Sequence, residues 1–255
     1  MITFSALGNY GRLGNQLFQY ASLYSVGFLR GLEIGIPFNQ KISEVFDLQS
    51  ANQIPAEFQP TLIAKESSFI FDLSLFSVPD NVDIIGYFQS GHYFRHCEES
   101  LRKELRFHAG IQGKAIDFLK SRNSVPLCSL HVRRGDYTKL SHYHKNLSME
   151  YYQQACEIVK SNIPNAKFLV FSDDPHWCKQ VFIDSENFEI IEIGDDAVEL
   201  CIMANCPIHI IANSSFSWWG AWLSNSQAVI APKEWFAEQG PKDWSTVYEP
   251  HWIVV

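Results

Sequence analysis

Two adjacent arginines follow a predicted buried strand. Residues 126–132 form an apolar, β-prone run, which is followed directly by Arg133, Arg134, Gly135 and Asp136. Charges at the carboxyl end of such a strand occupy the usual ligand position of an open α/β sheet. Paired guanidinium groups favour a phosphate-bearing ligand, and Gly135 would let the backbone turn sharply and approach that ligand. A structural ion pair between Asp136 and an arginine explains this run equally well.

Two further predicted strands, over residues 167–171 and 207–212, also end in polar groups. The side chains at these ends are Ser172, Asp173, Asp174, Asn213, Ser214, Ser215 and Ser217. From residue 126 onward strands and helices alternate, which predicts a parallel, doubly wound sheet whose strand tips line one crevice. These groups suit a nucleotide diphosphate, since arginines offset the pyrophosphate charge, a helix start binds phosphate oxygens, and an aspartate accepts from a guanine edge.

Each strand end also has a purely structural explanation. Asp-Asp-Pro commonly starts a helix, and Asn-Ser-Ser commonly caps one. The neighbouring pair Trp218 and Trp219 is more typical of core packing than of a sugar-binding surface. Three such strand ends together favour the functional interpretation. The chain has no D-x-D sequence, so the arginines rather than a metal ion would offset the diphosphate charge.

The N-terminal part predicts another strand, loop and helix. Residues 2–7 read as a strand, residues 8–16 as a glycine-rich loop that contains Gly14 and Asn15, and residues 17–29 as a helix. A glycine loop before a helix N-terminus is favourable for anions. The spacing matches neither a dinucleotide-binding motif nor a P-loop, so spacing alone favours a tight structural turn.

Composition limits the classes of protein to which the chain can belong. It has 255 residues and a formal net charge of -8, which argues against a nucleic-acid partner. Its six cysteines form no C-x-x-C pair and predict buried free thiols in a reducing compartment. We find no basic leader and no apolar run of about 20 residues, which predicts a cytoplasmic protein without a transmembrane segment. Peripheral contact with the inner membrane remains open.

Several segments resemble one enzyme family. Residues 131–136 resemble the H-x-R-R-x-D motif shared by α-1,2-, α-1,6- and protein O-fucosyltransferases. Residues 11–21 are similar to the N-terminal signature of the α-1,2-fucosyltransferases, glycosyltransferase family 11. Further similar segments follow in the family's order, at residues 86–90, 147–152, 171–174 and 211–222.

This resemblance implies a fold and a reaction. The expected fold is α/β and GT-B-like, with two Rossmann-type domains, residues 1–122 on the acceptor side and residues 123–255 binding the donor, and the donor site in the cleft. The expected reaction is inverting, metal-independent transfer of L-fucose from GDP-β-L-fucose to the 2-hydroxyl of a terminal β-galactoside, in glycan or surface-polysaccharide synthesis. No cofactor is expected beyond the donor substrate.

The resemblance also implies roles for single residues. His131 would contact the guanosine, Arg133 or Arg134 the β-phosphate, and Asp173 or Asp174 the guanine edge. Further donor contacts are expected from Asn213, Ser214, Ser215, Gly14 and Asn15. The catalytic candidates are Arg133, Arg134, Asp136 and Asn15. Asp136 is the first candidate for the general base, and His142 and His144 come next.

Two other functions remain open from the sequence. One is another fucosyltransferase of the same motif group, with α-1,6 or protein O-linked specificity. The other is a non-catalytic glycan-binding protein in which Trp218 and Trp219 form a sugar platform.

Overall fold

The computed structural model describes residues 1–122, 124–184, 186–224, 226 and 228–255. They form two compact units, one of residues 1–108 with 243–249, the other of residues 109–242 with 250–255. The first boundary falls at 108/109, upstream of the predicted 122/123, because the helix over residues 109–120 packs on the second unit. Asn123, the first residue of the predicted second domain, lies outside the described residues.

The N-terminal unit contains a five-stranded parallel sheet. Its strands are β1 (Ile2–Thr3), β2 (Ile34–Ile36), β3 (Ala51–Gln53), β4 (Leu62–Lys65) and β5 (Val82–Ile85). They lie in the order β3-β2-β1-β5-β4. The helices are α1 (Leu13–Arg30), α2 (Lys41–Val45) and α3 (Glu98–Glu104). Short 3₁₀ turns occur at Leu73–Ser77, Gly91–Tyr93, Arg95–Cys97 and Ser245–Val247.

Helix α1 begins four residues earlier than the sequence predicts. Leu13 is buried and extends the apolar stripe of Leu17 and Tyr20 by one turn. The Gln16 side chain accepts a hydrogen bond from the backbone N–H of Ile42 (3.0 Å), which fixes this first turn. The predicted loop is therefore shorter, and Gly14 and Asn15 lie in the helix.

The C-terminal unit has a six-stranded parallel sheet. Its strands are β6 (Leu127–Val132), β7 (Lys167–Ser172), β8 (Phe188–Ile190), β9 (Ile208–Ile210), β10 (Ala228–Ala231) and β11 (Ile253–Val254). Its helices are α4 (Ala109–Lys120), α5 (Met149–Asn162), α6 (Pro175–Val181), α7 (Asp196–Ala204) and α8 (Ser215–Ser224). The order β8-β7-β6-β9-β10-β11 confirms the predicted doubly wound sheet. The chain reverses its direction of strand addition between β6 and β9, which is the switch point where ligands bind such sheets.

The core of this unit surrounds β6. All six residues of the strand are buried, and Cys128, Leu130 and Val132 pack with the apolar face of α5. Trp218 and Trp219 are completely buried, so they belong to the core and do not form the sugar platform of the glycan-binding alternative.

All six cysteines are free and buried, as the sequence predicts. Across the part of the chain that the structure describes, every helix is too short or too polar to cross a membrane.

Candidate active site

The turn after β6 is shaped by the carboxylate of Asp173. Asp173 Oδ1 accepts hydrogen bonds from the backbone N–H groups of Arg134 (2.8 Å) and Gly135 (3.0 Å). Its Oδ2 lies 2.9 Å from the Arg133 guanidinium. Because Val132 is in register with Ser172, the ends of β6 and β7 are adjacent, and one carboxylate can hold the whole turn.

Gly135 makes room for that carboxylate. A Cβ atom at this position would lie 2.5 Å from Asp173 Oδ2, so any side chain would displace it. Glycine is therefore required here because a side chain would collide with Asp173. The sequence interpretation expected Gly135 to allow close approach of a ligand, but the structure places the Asp173 carboxylate there.

Arg133 lies between two carboxylates and an aromatic ring. Its guanidinium contacts Asp136 Oδ1 (2.6 Å) and Asp173 Oδ2 (2.9 Å), and its Cζ lies 5.2 Å from the centre of the Tyr137 ring. Asp136 is half exposed and Arg133 is mostly buried, so the protein around Arg133 holds the pair in place. An arginine has five N–H donors in a fixed plane, and these contacts leave donors for a ligand oxygen.

Arg134 packs on the start of α6. Its Cζ lies 4.1 Å from the centre of the Trp177 ring, and its Nε is 3.4 Å from Asp174 Oδ2. Asp174 caps this helix, because its Oδ1 accepts from the backbone N–H of Trp177 (3.1 Å). The two aspartates therefore lie at the start of a helix, as the structural explanation of Asp-Asp-Pro predicts. They also position both arginines.

The end of β9 supplies the third group of polar residues. His131 is buried in β6, and its Nδ1 lies 2.9 Å from the Ser217 hydroxyl, which also accepts from the backbone N–H of Ala212 (3.2 Å). Ser214 Oγ accepts from the N–H of Phe216 at the start of α8 (3.3 Å). Burial, reinforced by the Arg133 guanidinium, holds the pKa of the His131 imidazole far below its usual range. The ring is therefore neutral at pH 7.

Tyr137 connects the first and third strand ends. Its hydroxyl donates to the backbone oxygen of Asn213 (3.1 Å), and burial raises the pKa of Tyr137 to about 12, so the proton stays in place. The Tyr137 ring also stacks on His144 at 4.0 Å, with the two planes 7° apart. Asn213 is itself fixed by donating to the carbonyl oxygens of Lys145 (2.9 Å) and Trp235 (2.8 Å).

The structure brings most of the predicted site residues together at the switch point. Those at the ends of β6, β7 and β9 are His131, Arg133, Arg134, Asp136, Asp173, Asp174, Asn213, Ser214 and Ser215. Gly14 and Asn15 belong to the other unit, where Asn15 Oδ1 accepts from the Gln89 side chain (2.9 Å). His142 is exposed, and its backbone oxygen accepts from the N–H of Gln239 (2.9 Å).

Three carboxylates face two guanidinium groups in this turn, so it carries no net positive charge by itself. A diphosphate would need part of its stabilisation from neutral donors. The start of α8 lies at the same edge of the sheet, and a helix N-terminus favours a bound anion through its dipole and its N–H groups. The site can thus bind a diphosphate through arginine and helix N–H groups together.

The match to a family of known proteins extends along almost the whole chain. A sequence model of glycosyl transferase family 11 matches residues 4–255. The chain belongs to glycosyl transferase family 11. This confirms the resemblance that the sequence motifs indicate.

This family 11 protein is similar to named glycosyltransferases from a bacterium and from a mammal. It is 32% identical to the alpha-1,2-colitosyltransferase of Escherichia coli, over 90% of this chain and 91% of the relative. It is 25% identical to the galactoside 2-alpha-L-fucosyltransferase SEC1 of Bos taurus, over 86% of this chain and 64% of that protein.

Solved fucosyltransferases share the fold of the family 11 chain. POFUT1 in complex with GDP-fucose superposes with a TM-score of 0.59 at 14% identity, over 99% of this chain and 97% of that one. The NodZ alpha-1,6-fucosyltransferase soaked with GDP-fucose gives 0.56 at 14% identity, over 91% and 94%. These likenesses and the two parallel-sheet units confirm the predicted GT-B-like class.

Two residues that shape the site were not singled out from the sequence. Tyr137 directly follows the Arg-Arg-Gly-Asp run, and Trp177 lies in the first turn of α6. Tyr137 lies close to Arg133 in the sequence, which is a signal for a stacked guanidinium, whereas Trp177 is distant from Arg134 along the chain and gives no such signal.

Proposed function

We propose that this protein transfers L-fucose from GDP-β-L-fucose to the 2-hydroxyl of a terminal β-galactoside, with inversion and without a metal ion, in glycan or surface-polysaccharide synthesis. The observation that carries the proposal is the position of Arg133 and Arg134 at the switch point of a family 11 chain. The presence of a galactoside 2-alpha-L-fucosyltransferase among the relatives supports the acceptor and the linkage.

The geometry suits departure of a nucleoside diphosphate. The acceptor oxygen bonds to the anomeric carbon of fucose, the bond from that carbon to the β-phosphate oxygen breaks, and GDP leaves with increased negative charge. Fixed guanidinium groups stabilise this charge most where it grows, in the transition state. Metal independence is part of the proposal: the arginines and the neutral donors of the site together supply the stabilisation that a divalent ion would otherwise supply.

The contacts at the site support two further parts of the proposal. In this proposal His131, which is neutral and lies 2.9 Å from the Ser217 hydroxyl, and the start of α8 contact the nucleotide by hydrogen bonds rather than by charge. Asp136 remains the first candidate for the base that takes the hydroxyl proton, followed by His142 and His144. Its contact with Arg133 favours a role in positioning that arginine.

The decisive experiment replaces each arginine. With GDP-fucose and lactose, we expect Arg133→Ala and Arg134→Ala each to lower kcat/KM on the order of a hundredfold or more, because each removes a charged donor to the leaving group. The readouts are GDP release, product linkage by NMR, and activity with a chelator present. We expect the chelator to have no effect.

Arg122→Ala is the matched control. Arg122 also pairs with a carboxylate, Glu189 (2.6 Å), and is similarly buried, but it precedes β6 at the amino end of the sheet. We expect this variant to retain its activity, and all three variants to keep the wild-type unfolding midpoint. Near-normal activity in both site variants would overturn the phosphate assignment.

The donor has a second candidate, GDP-colitose. The 32% identity to an alpha-1,2-colitosyltransferase over 90% of the chain favours it, and colitose is fucose without the 3-hydroxyl. A site that hydrogen-bonds a hydroxyl rejects the analogue without it by several orders of magnitude, whereas an apolar site rejects an added hydroxyl weakly. The ratio of kcat/KM for the two donors therefore separates the candidates.

A further inference from the structure

Two exposed tyrosines lie together in the N-terminal unit, outside the arginine site. Tyr10 belongs to the loop before α1, and Tyr87 follows β5. Their ring centres are 6.2 Å apart with the planes inclined by 68°, and the residues are 42% and 41% exposed. The pair thus presents an angled aromatic surface to solvent.

One buried amide joins the two loops that carry these rings. Gln19 is completely buried in α1, and its Nε2 donates to the backbone oxygens of Tyr10 (3.1 Å) and Gly86 (3.2 Å). Because the Gln19 side chain donates to both loops, it fixes the spacing between the two loops. The distance between the rings is therefore set by the core of the unit.

The turn that carries Tyr87 is fixed a second time by Glu66. Its carboxylate accepts from the backbone N–H groups of Tyr87 (2.6 Å) and Phe88 (2.8 Å). Phe88 has a φ of 51°, a left-handed conformation that is strained for a bulky side chain. Such strain persists only where the surroundings enforce it, and it is concentrated at ligand sites.

The two loops that carry the rings are almost uncharged, and the nearby carboxylate of Glu66 is bonded to the backbone N–H groups of Tyr87 and Phe88. Apart from Arg12, the side chains of residues 8–15 and 86–90 carry no formal charge. Gln89 adds an amide, which donates to Asn15 (2.9 Å). Rigid aromatic rings bordered by amides suit a neutral polyhydroxylated ligand better than a diphosphate.

We infer that Tyr10 and Tyr87 form the platform that binds the terminal galactose of the acceptor. The axial 4-hydroxyl of galactose leaves the opposite face of the sugar ring as an apolar C–H surface, which packs on an aromatic ring. Gln89 is placed to bond the hydroxyls at its rim. This inference rests on the proposed function, since a galactoside is its acceptor.

Kinetics at saturating GDP-fucose test the platform with lactose as acceptor. We expect Tyr10→Ala and Tyr87→Ala to raise the KM for lactose about tenfold, the loss expected when a ring contact is removed. The KM for GDP-fucose and the rate of GDP release without acceptor should change less than twofold. Tyr10→Phe and Tyr87→Phe keep the ring and should restore most of the affinity, which a general loosening of the loop would not do.

Phe28→Ala is the matched control, because Phe28 is exposed on the same unit near the other end of α1. It should leave the KM for lactose unchanged. Tyrosine variants that keep the wild-type KM for lactose, or that raise only the KM for GDP-fucose, would overturn the platform.

A direct measurement of lactose binding tests the platform independently of the enzymatic reaction. Saturation-transfer NMR with lactose should give signals for the wild-type and Phe28→Ala proteins and lose them in both alanine variants. Equal signals in all four proteins, or none in the wild type, would contradict the platform. If the wild type makes no product but its lactose signal depends on the tyrosines, the proposed function fails and the platform stands.

Discussion

Asp173 is the residue whose role changes most between sequence and structure. The resemblance assigns guanine recognition to Asp173 or Asp174. Both oxygens of Asp173 bind the turn after β6. Asp174 caps α6 through one oxygen, but it is more exposed, and its other oxygen makes only a long contact with Arg134, at 3.4 Å. If one of these two aspartates binds the guanine edge, we therefore expect it to be Asp174.

The close contact between Gly135 and Asp173 can be tested by a substitution that adds one methyl group at Gly135. Gly135→Ala places a Cβ 2.5 Å from Asp173 Oδ2, so we expect the carboxylate to leave the turn and to release Arg133. Affinity for GDP, measured by calorimetry, should fall at least tenfold, while the unfolding midpoint should fall only slightly.

Gly113→Ala is the control for that variant. Gly113 lies in α4, and a Cβ there would meet no atom within 4 Å. Alanine in a helix should raise stability by about 0.5–1 kcal/mol and leave GDP affinity unchanged. Unchanged GDP affinity in Gly135→Ala would show that the turn tolerates the displacement.

The longest strands of the C-terminal unit could be predicted because they are continuous apolar runs. β6 and β7 have six residues each, and a buried parallel strand appears in the sequence as a continuous apolar segment. β3, β4 and β11 have two to four residues and lie at sheet edges with their side chains partly exposed, so they give no such signal. Hydrogen bonds from neighbouring strands determine them.

The candidate site could be predicted as a set of residues, though not as a set of contacts. Chain order and parallel topology place Arg133, Asp173 and Ser214 at neighbouring strand ends. Which carboxylate oxygen binds which N–H group depends on side-chain rotamers and on a Cβ missing at Gly135. The spacing of apolar residues in the sequence contains no information on these rotamers or on the effect of the missing Cβ.

His209 links three elements and makes their packing depend on pH. It is buried in β9, with Nδ1 2.7 Å from the Ser129 hydroxyl of β6 and Nε2 2.8 Å from the Ser224 hydroxyl of α8. Burial lowers the pKa of His209 to about 3, below the value near 6.5 of an unfolded chain. Unfolding therefore takes up a proton below about pH 6.5, and stability falls as the pH is lowered toward 3.

His209→Gln should reduce this dependence. We expect urea unfolding at pH 7, 6 and 5 to give a slope shallower by up to about 1.4 kcal/mol per pH unit. Stability at pH 7 should also fall, because the hydrogen bonds to both serines change. His142→Gln, at an exposed position, should keep the wild-type slope, and an unaltered slope in His209→Gln would refute this explanation.

At the scale of the whole molecule, the two predicted α/β units are present, but the chain passes between them more often than expected. The sequence shows no composition shift at residue 108, so the packing of α4 on α7 was not visible in it. The return of residues 243–249 to the first unit was also not visible, because only three-dimensional contacts define it.

Deletion of residues 243–255 should weaken both units. Thr246 accepts from the N–H of Phe71 (2.9 Å) and from the Ser90 hydroxyl (2.6 Å), and β11 completes the sheet beside β10. We expect faster hydrogen exchange around Phe71 and Ser90 and in β10. Deletion of residues 250–255 alone should affect β10 and spare the first unit. Wild-type exchange rates at Phe71 after the longer deletion would contradict this assignment.

The late return of the chain has a consequence for biosynthesis. Residues 1–108 leave the ribosome first, yet their partner segment follows only after residue 242, on the order of 10 s later at about 5–20 residues per second. During that interval Phe71 and Ser90 lack their bonds to Thr246. The nascent first unit therefore stays an incomplete domain until residues 243–249 have been synthesised and can join it.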